Sequence, residues 1–230
     1  MAGVIVAIVG TVAAIAVAIV VPIWIESLKR PSFVFSIAPN SLRDSDTVKY
    51  LHVRIVNPPI TGRLARWLVR STATNCIASA TFEDLPLSGA KPRVPDAAAR
   101  WSSNPEPWTM LLRPDGAAVR RYDETKLERI FHSDLSPTDN GEVIVVAMKH
   151  RGEPEACAHS KCSWEESAET GQRAASLELP VGEYKLTVRV HSGGVSDSKE
   201  FRVSNRDETL SGFTIDQWMT PPRAVLEDDN

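Results

Sequence analysis

The chain has 230 residues, with 26 basic and 29 acidic side chains, a formal net charge of −3 and a sequence pI of about 6.0. That balance excludes a bulk electrostatic case for nucleic acid as a partner. Three cysteines, Cys76, Cys157 and Cys162, are too few for a disulfide scaffold and leave an odd thiol if two of them pair.

The first 25 residues, MAGVIVAIVGTVAAIAVAIVVPIWI, contain no Asp, Glu, Lys, Arg or His, and the run ends at Glu26, Lys29 and Arg30. At a rise of about 1.5 Å per residue, Ala2 to Ile25 is long enough to cross a hydrocarbon core about 30 Å thick. Residues 1–28 are therefore expected to form one transmembrane α-helix, with the lipid bilayer as a partner and the cell membrane as the location of a single-pass protein. A cleaved signal would carry a basic leader and a small-residue exit. Here only Met1 precedes the apolar run, and the bulky Ile23, Trp24 and Ile25 close it. Lys29 and Arg30, directly after the span, place the remainder on the cytoplasmic side by the positive-inside rule. Gly3, Ala7, Gly10, Ala14 and Ala18 fall along one helical face, a stripe suited to self-association, although abundant alanine alone also gives such a stripe.

After Pro31 the pattern changes to short apolar runs broken by turn residues. SFVFSIA predicts a first strand. In VKYLHVRIV, Leu51, Val53 and Ile55 alternate with His52 and Arg54, which predicts a half-buried strand with His52 on its solvent side, as His191 is later in the chain. Pro58 and Pro59 end it. Next, NCIASATFED puts Thr74, Cys76, Ala78, Ala80 and Phe82 on one face of a strand expected to pair back on its predecessor. Residues 85–116 are dense in proline and predict a long irregular connection, with one short strand around Trp108 to Leu112. DETKLERIFHSDL fits either a helical turn or a strand. GEVIVVAMKH is a strand, and RGEPEACAHSKCSWEESAETGQ is a loop excursion. EYKLTVRVHS has the strongest two-residue period, with Tyr184, Leu186, Val188 and Val190 to one side. Gly193 and Gly194 supply a turn into KEFRVSN, with Phe201 and Val203 inward and a longer loop expected between the strands. SGFTID adds a last short strand, and 217–230 read as a flexible polar tail.

About seven to nine short strands with little helix predict a mainly β fold over 32–216, an antiparallel β-sandwich. LHVRIVN followed by NCIASATF, and later a GEYKLTVRV hairpin returning as KEFRVSN, resembles immunoglobulin-like β-sandwich domains, including those that follow a single N-terminal helix in prokaryotic membrane proteins. The chain departs from antibody-type domains in lacking the intersheet cysteine pair with an intervening tryptophan. The resemblance implies a non-catalytic binding or scaffolding module for an unknown protein partner.

Cys157, His159 and Cys162 are the one close cluster of metal-ligand residue types, but a zinc site needs about four ligands and the spacing matches no common finger. In an exported domain Cys157 and Cys162 would pair; in the cytoplasm they would be loop thiols. Trp101, Trp108 and Trp164 mark two loop excursions and are candidates for recognition, or else anchors packed inward. The sequence holds no glycine-rich phosphate loop, no Gly-x-Ser-x-Gly and no HExxH, so neither enzyme activity nor a cofactor is expected. Two other readings stay open: a pilin-like filament subunit with an apolar helix and a β-rich head, and a membrane-tethered enzyme or metal-binding protein using the Cys157, His159 and Cys162 loop.

Overall fold

The structure, a computed structural model, describes residues 17–39, 46–86, 91–103, 108–112, 118–122, 132–159 and 175–219, with 108–112 and 118–122 described by their backbone alone. Helix α1 covers 17–29, the second half of the apolar stretch, and residues 1–16 lie outside the described residues. No helix among the described residues is long and apolar enough to cross a membrane. All eight side chains from Val17 to Trp24 are exposed, and none of them joins the buried cluster of the described residues.

Past α1 the chain is built from antiparallel strands. The first sheet runs β1 (Val34–Ile37), β2 (Val48–Val56) and β9 (Glu142–His150), then β10 (Ala156–Ala158) and β11 (Glu178–Leu179), with β5 (Arg100–Trp101) also paired to β9. The second runs β14 (Phe213–Gln217), β13 (Val195–Asn205), β12 (Gly182–Ser192), β3 (Ala73–Asp84) and β4 (Val94–Ala98), with β8 (His132–Leu135) also on β3. β6 (Trp108–Leu112) and β7 (Ala118–Tyr122) make a separate pair. The two-residue alternation of these segments delivers their apolar sides to one place. Leu51, Val53, Ile55, Trp101 and Ile144 from the first sheet meet Ala78, Phe82, Leu186, Val188, Phe201 and Val203 from the second in a single buried cluster. Each large side chain withdrawn from water there contributes about 1.5–3 kcal/mol.

Several expectations need correction. β3 does not pair back on β2; it crosses to the other sheet and pairs with β12, β4 and β8. The connection 57–72 is too long for a hairpin and contains a 3-10 turn at Gly62–Arg66. Within β3, Cys76, Ala78, Ala80 and Phe82 are buried, but Ala73 is inward in place of Thr74. A bulge between Ala73 and Cys76, with Asn75 at φ 54, resets the phase. The stretch 85–116 is less irregular than its prolines suggest, because β4 is an edge strand, where Pro95 costs no ladder bond.

The expected longer loop between β12 and β13 is a two-residue turn. Gly193 and Gly194, at φ 51 and 84, close it between Ser192 and Val195, in the left-handed backbone that glycine adopts without strain. His52 is a further correction. It has no accessible surface, sits opposite Val145 beside a bulge, and lies across β9 from the equally buried Arg100. Here both faces of the first sheet are withdrawn from solvent, so inside–outside alternation no longer reports exposure. His191 is exposed as expected.

Candidate functional site

Of the small-residue stripe, Ala18 is on the exposed face of α1, while Gly3, Ala7, Gly10 and Ala14 lie outside the described residues. Trp101 is fully buried in β5, and its indole N–H donates to the Cys76 carbonyl at 3.2 Å. Its packing is inward, so it offers no surface to a partner. Trp108 begins β6, whose backbone alone is described, and Trp164 and Cys162 lie outside the described residues. Cys157 and His159 are both buried, one inside β10 and the other just after it, where the His159 backbone N–H donates to Val146 O at 3.0 Å. Among the described residues no three His, Cys, Asp or Glu side chains are placed to hold a metal ion. Cys76 is a free, buried thiol whose pKa is pushed up by desolvation, the opposite of what a nucleophile needs.

Two surface features stand out, neither of which was singled out from the sequence. The first is the seam between α1 and the sheets. Ser71 N donates to Lys29 O at 2.8 Å, and Arg70 Nη1 donates to Arg30 O at 2.7 Å. The Ser71 amide thus satisfies an orphan acceptor at the end of α1, and the guanidinium just past that end complements the helix dipole. The fully buried Asn57 ties the same seam to the second sheet. Its side-chain oxygen accepts from Ser32 N at 3.2 Å, and its amide donates to Ser71 O at 2.9 Å and Leu135 O at 3.0 Å. The loop held this way carries Arg63, Leu64, Arg66, Trp67 and Val69 outward.

The second feature is a cleft of about 1030 Å³ on the outer side of the second sheet. It is lined by Leu85 and Pro86 at the end of β3, Glu183 on β12, Arg202 on β13, and Asp216 and Trp218 at the end of β14. Arg202 pairs with Glu183. Alongside, Lys185 contacts Glu200 at 2.8 Å and Glu83 at 3.6 Å and lies 5.8 Å from the Trp218 ring centroid. These neighbours hold Lys185 charged: the hydrogen bond to Glu200 raises its pKa. The ammonium therefore presents a cation to the indole face, which favours one placement of Trp218. Met219, next in the chain, is 85% exposed.

No family model, curated protein or solved structure matches the chain.

At the ends of β9 and β13 is a buried polar knot. Lys149 has no accessible surface; its ammonium donates to Pro154 O at 3.1 Å and to Asn205 Oδ1 and Asp207 O. Asn205, equally buried, shares its amide protons among Pro154 O, Leu179 O and Pro180 O at 2.9–3.0 Å. Desolvation lowers the Lys149 pKa, against an opposing pull from Asp207 and nearby glutamates. Since its donors are spent on backbone and amide oxygens, this lysine fixes the ends of β9 and β13 in place. The loop beside the seam carries a sequence signal that was not used, RLARWLVR, where arginine and large apolar residues interleave. The cleft had none, because its walls come from four separate stretches.

Proposed function

We propose that the protein is a single-pass membrane-anchored, immunoglobulin-like β-sandwich that serves as a non-catalytic binding module. The observation that carries it is α1: eight consecutive, uncharged residues, Val17 to Trp24, are exposed on every side of a helix. A helix apolar all round is stable in lipid and unfavourable in water. With the uncharged residues 1–16 before it, the segment has the length a bilayer requires.

Two features support the immunoglobulin-like part. The strand orders β1-β2-β9-β5 and β13-β12-β3-β4 parallel the A-B-E-D and G-F-C-C′ sheets of such domains when strands are lettered in chain order. Tyr184, near the start of β12, donates its hydroxyl proton to Pro180 O at 2.6 Å, four residues upstream, in the manner of a tyrosine corner. The chain uses Leu186 two residues later, where antibody-type domains carry a cysteine. Trp101 comes to the same core from β5.

The cleft beside Trp218 and Met219 is the binding face of this reading. Its mixed charges, Glu183, Arg202, Arg206 and Asp216, around apolar Leu85, Pro86 and Trp218 suit a protein segment with an apolar side chain flanked by polar groups. Lys29 and Arg30 favour the cytoplasmic side for the module. Washing native membranes with high salt and then with alkaline carbonate tests the anchor: retention in the pellet is expected, and release by salt would sink it. Thin fibres in the same preparation would favour the filament subunit. A photoreactive residue at Met219 should give a discrete protein adduct that the same group at exposed Arg189 does not; equal yields at both sites would remove the cleft from the account.

A further inference from the structure

Resting on the anchor reading above, the structure assigns a second lipid contact to the loop at residues 62–70, and we infer that Trp67 and its flanking arginines dock on the headgroup layer of an anionic bilayer surface. Trp67 is 85% exposed and Val69 72% exposed, and Leu64 joins them as an exposed apolar side chain. Large apolar side chains clustered in this way on a surface loop mark an interaction site. Around them are Arg63, Arg66 and Arg70, and the loop is bonded to the end of α1, where Lys29 and Arg30 add two more cations. The nearest carboxylate on α1 is Glu26, which is paired with Lys29 at 3.2 Å.

Distance ties this cluster to the membrane. From Ile25 to Lys29 the helix rises about 6 Å, which leaves its end inside the roughly 5–8 Å of headgroup region beyond the hydrocarbon. Ser71 is hydrogen-bonded to Lys29, and Trp67 precedes it by four positions, so the backbone of Trp67 lies within about 14 Å of Ser71. An amphipathic ring rimmed by arginines is the chemistry of the membrane interface, where tryptophan concentrates and anionic lipid attracts basic side chains. The net charge of the whole chain, −3, hides this local excess. The docked loop would fix the tilt of the β domain on the membrane, because it adds a second point of attachment to the helix.

The test uses the full-length chain in nanodiscs of phosphatidylcholine and phosphatidylserine, with plain or brominated acyl chains. The emission of each tryptophan is taken as the difference between the wild type and Trp67→Phe or Trp24→Phe. Trp67 is exposed and its replacement removes no buried contact, so the variant keeps the fold. The expected result is at least a twofold loss of the Trp67 component in brominated lipid, relieved by Arg63→Gln with Arg66→Gln and by omitting phosphatidylserine. Quenching of Trp24 with an unchanged Trp67 component would leave the anchor standing and overturn the docked loop. Loss of quenching at Trp24 would instead break the anchor reading itself. A Trp67 shielded from aqueous iodide yet untouched by brominated lipid would place a protein surface there and also overturn the inference.

Discussion

Helix α1 and the two sheets treat the same kind of side chain in opposite ways. Ile23 is 64% exposed and Trp24 51% exposed on α1, whereas Ile55 and Trp101 in the sheets have no accessible surface. The sheets satisfy the hydrophobic effect internally, with both layers contributing to one cluster. Among the described residues the side chains of 17–24 on α1 stay exposed, and under the anchor we propose it is lipid that takes up this apolar surface. The two regions should therefore respond independently to substitution, and the seam at Arg70 and Asn57 is where they meet.

The largest separation is expected from the core. Phe201→Ala removes a fully buried ring and should cost about 3–5 kcal/mol of stability, read as a lowered urea midpoint of the tryptophan fluorescence transition, with membrane retention unchanged. The reverse pattern is expected from Val20→Arg on exposed α1. Val20 lies about 8 Å inside the end of the span, so a charge there opposes insertion by up to about 2.5 kcal/mol, less than at the centre, and the membrane-bound fraction should fall while the denaturation midpoint of the sheets stays put. A substitution on either side that moved both readouts together would break the comparison.

A pH dependence sharpens the internal order of the sheets. Burial pushes the Tyr184 phenol up to about 12 from its ordinary 10.0. The folded state then keeps a proton that the unfolded chain releases, so stability is lost as pH rises between these two values, by about 2–3 kcal/mol. Burial of Lys149 acts with the opposite sign, since its lowered pKa makes the folded state bind fewer protons below 10.5. The difference between wild type and Tyr184→Phe cancels the lysine contribution. The variant should lose about 1 kcal/mol at neutral pH with the bond to Pro180 O, and the alkaline loss should be absent from it.

The smallest effect belongs to the seam. Arg70→Ala removes one hydrogen bond to Arg30 O and should cost about 1 kcal/mol, seen as faster amide hydrogen exchange in the last turn of α1 with little change in the sheets.

How far such behaviour was readable in the sequence depends on which residues set it. The β12–β13 hairpin was legible because Tyr184, Leu186, Val188 and Val190 alternate strictly and the paired glycines of its turn take positive φ. β4 and β5 were missed because an edge strand tolerates Pro95 and a two-residue strand has no period to detect. His52 was misplaced because alternation distinguishes inside from outside only where one face is wet. Pairing partners such as β3 with β12 depend on long-range packing, which local pattern does not encode. Trp101 was noticed, but which way its ring points is decided by the carbonyl of Cys76 and the core around it.

The central claim is that lipid surrounds α1 on every side. It is tested most directly by placing an encoded nitroxide residue in turn at Ala18, Ile19, Val20 and Val21 of the full-length chain in bilayers and measuring its accessibility to oxygen and to a water-soluble nickel complex. All four positions are expected to be open to oxygen and closed to nickel, irrespective of helical face. Alternation between the two reagents with a helical period, or nickel access at all four, would contradict the account.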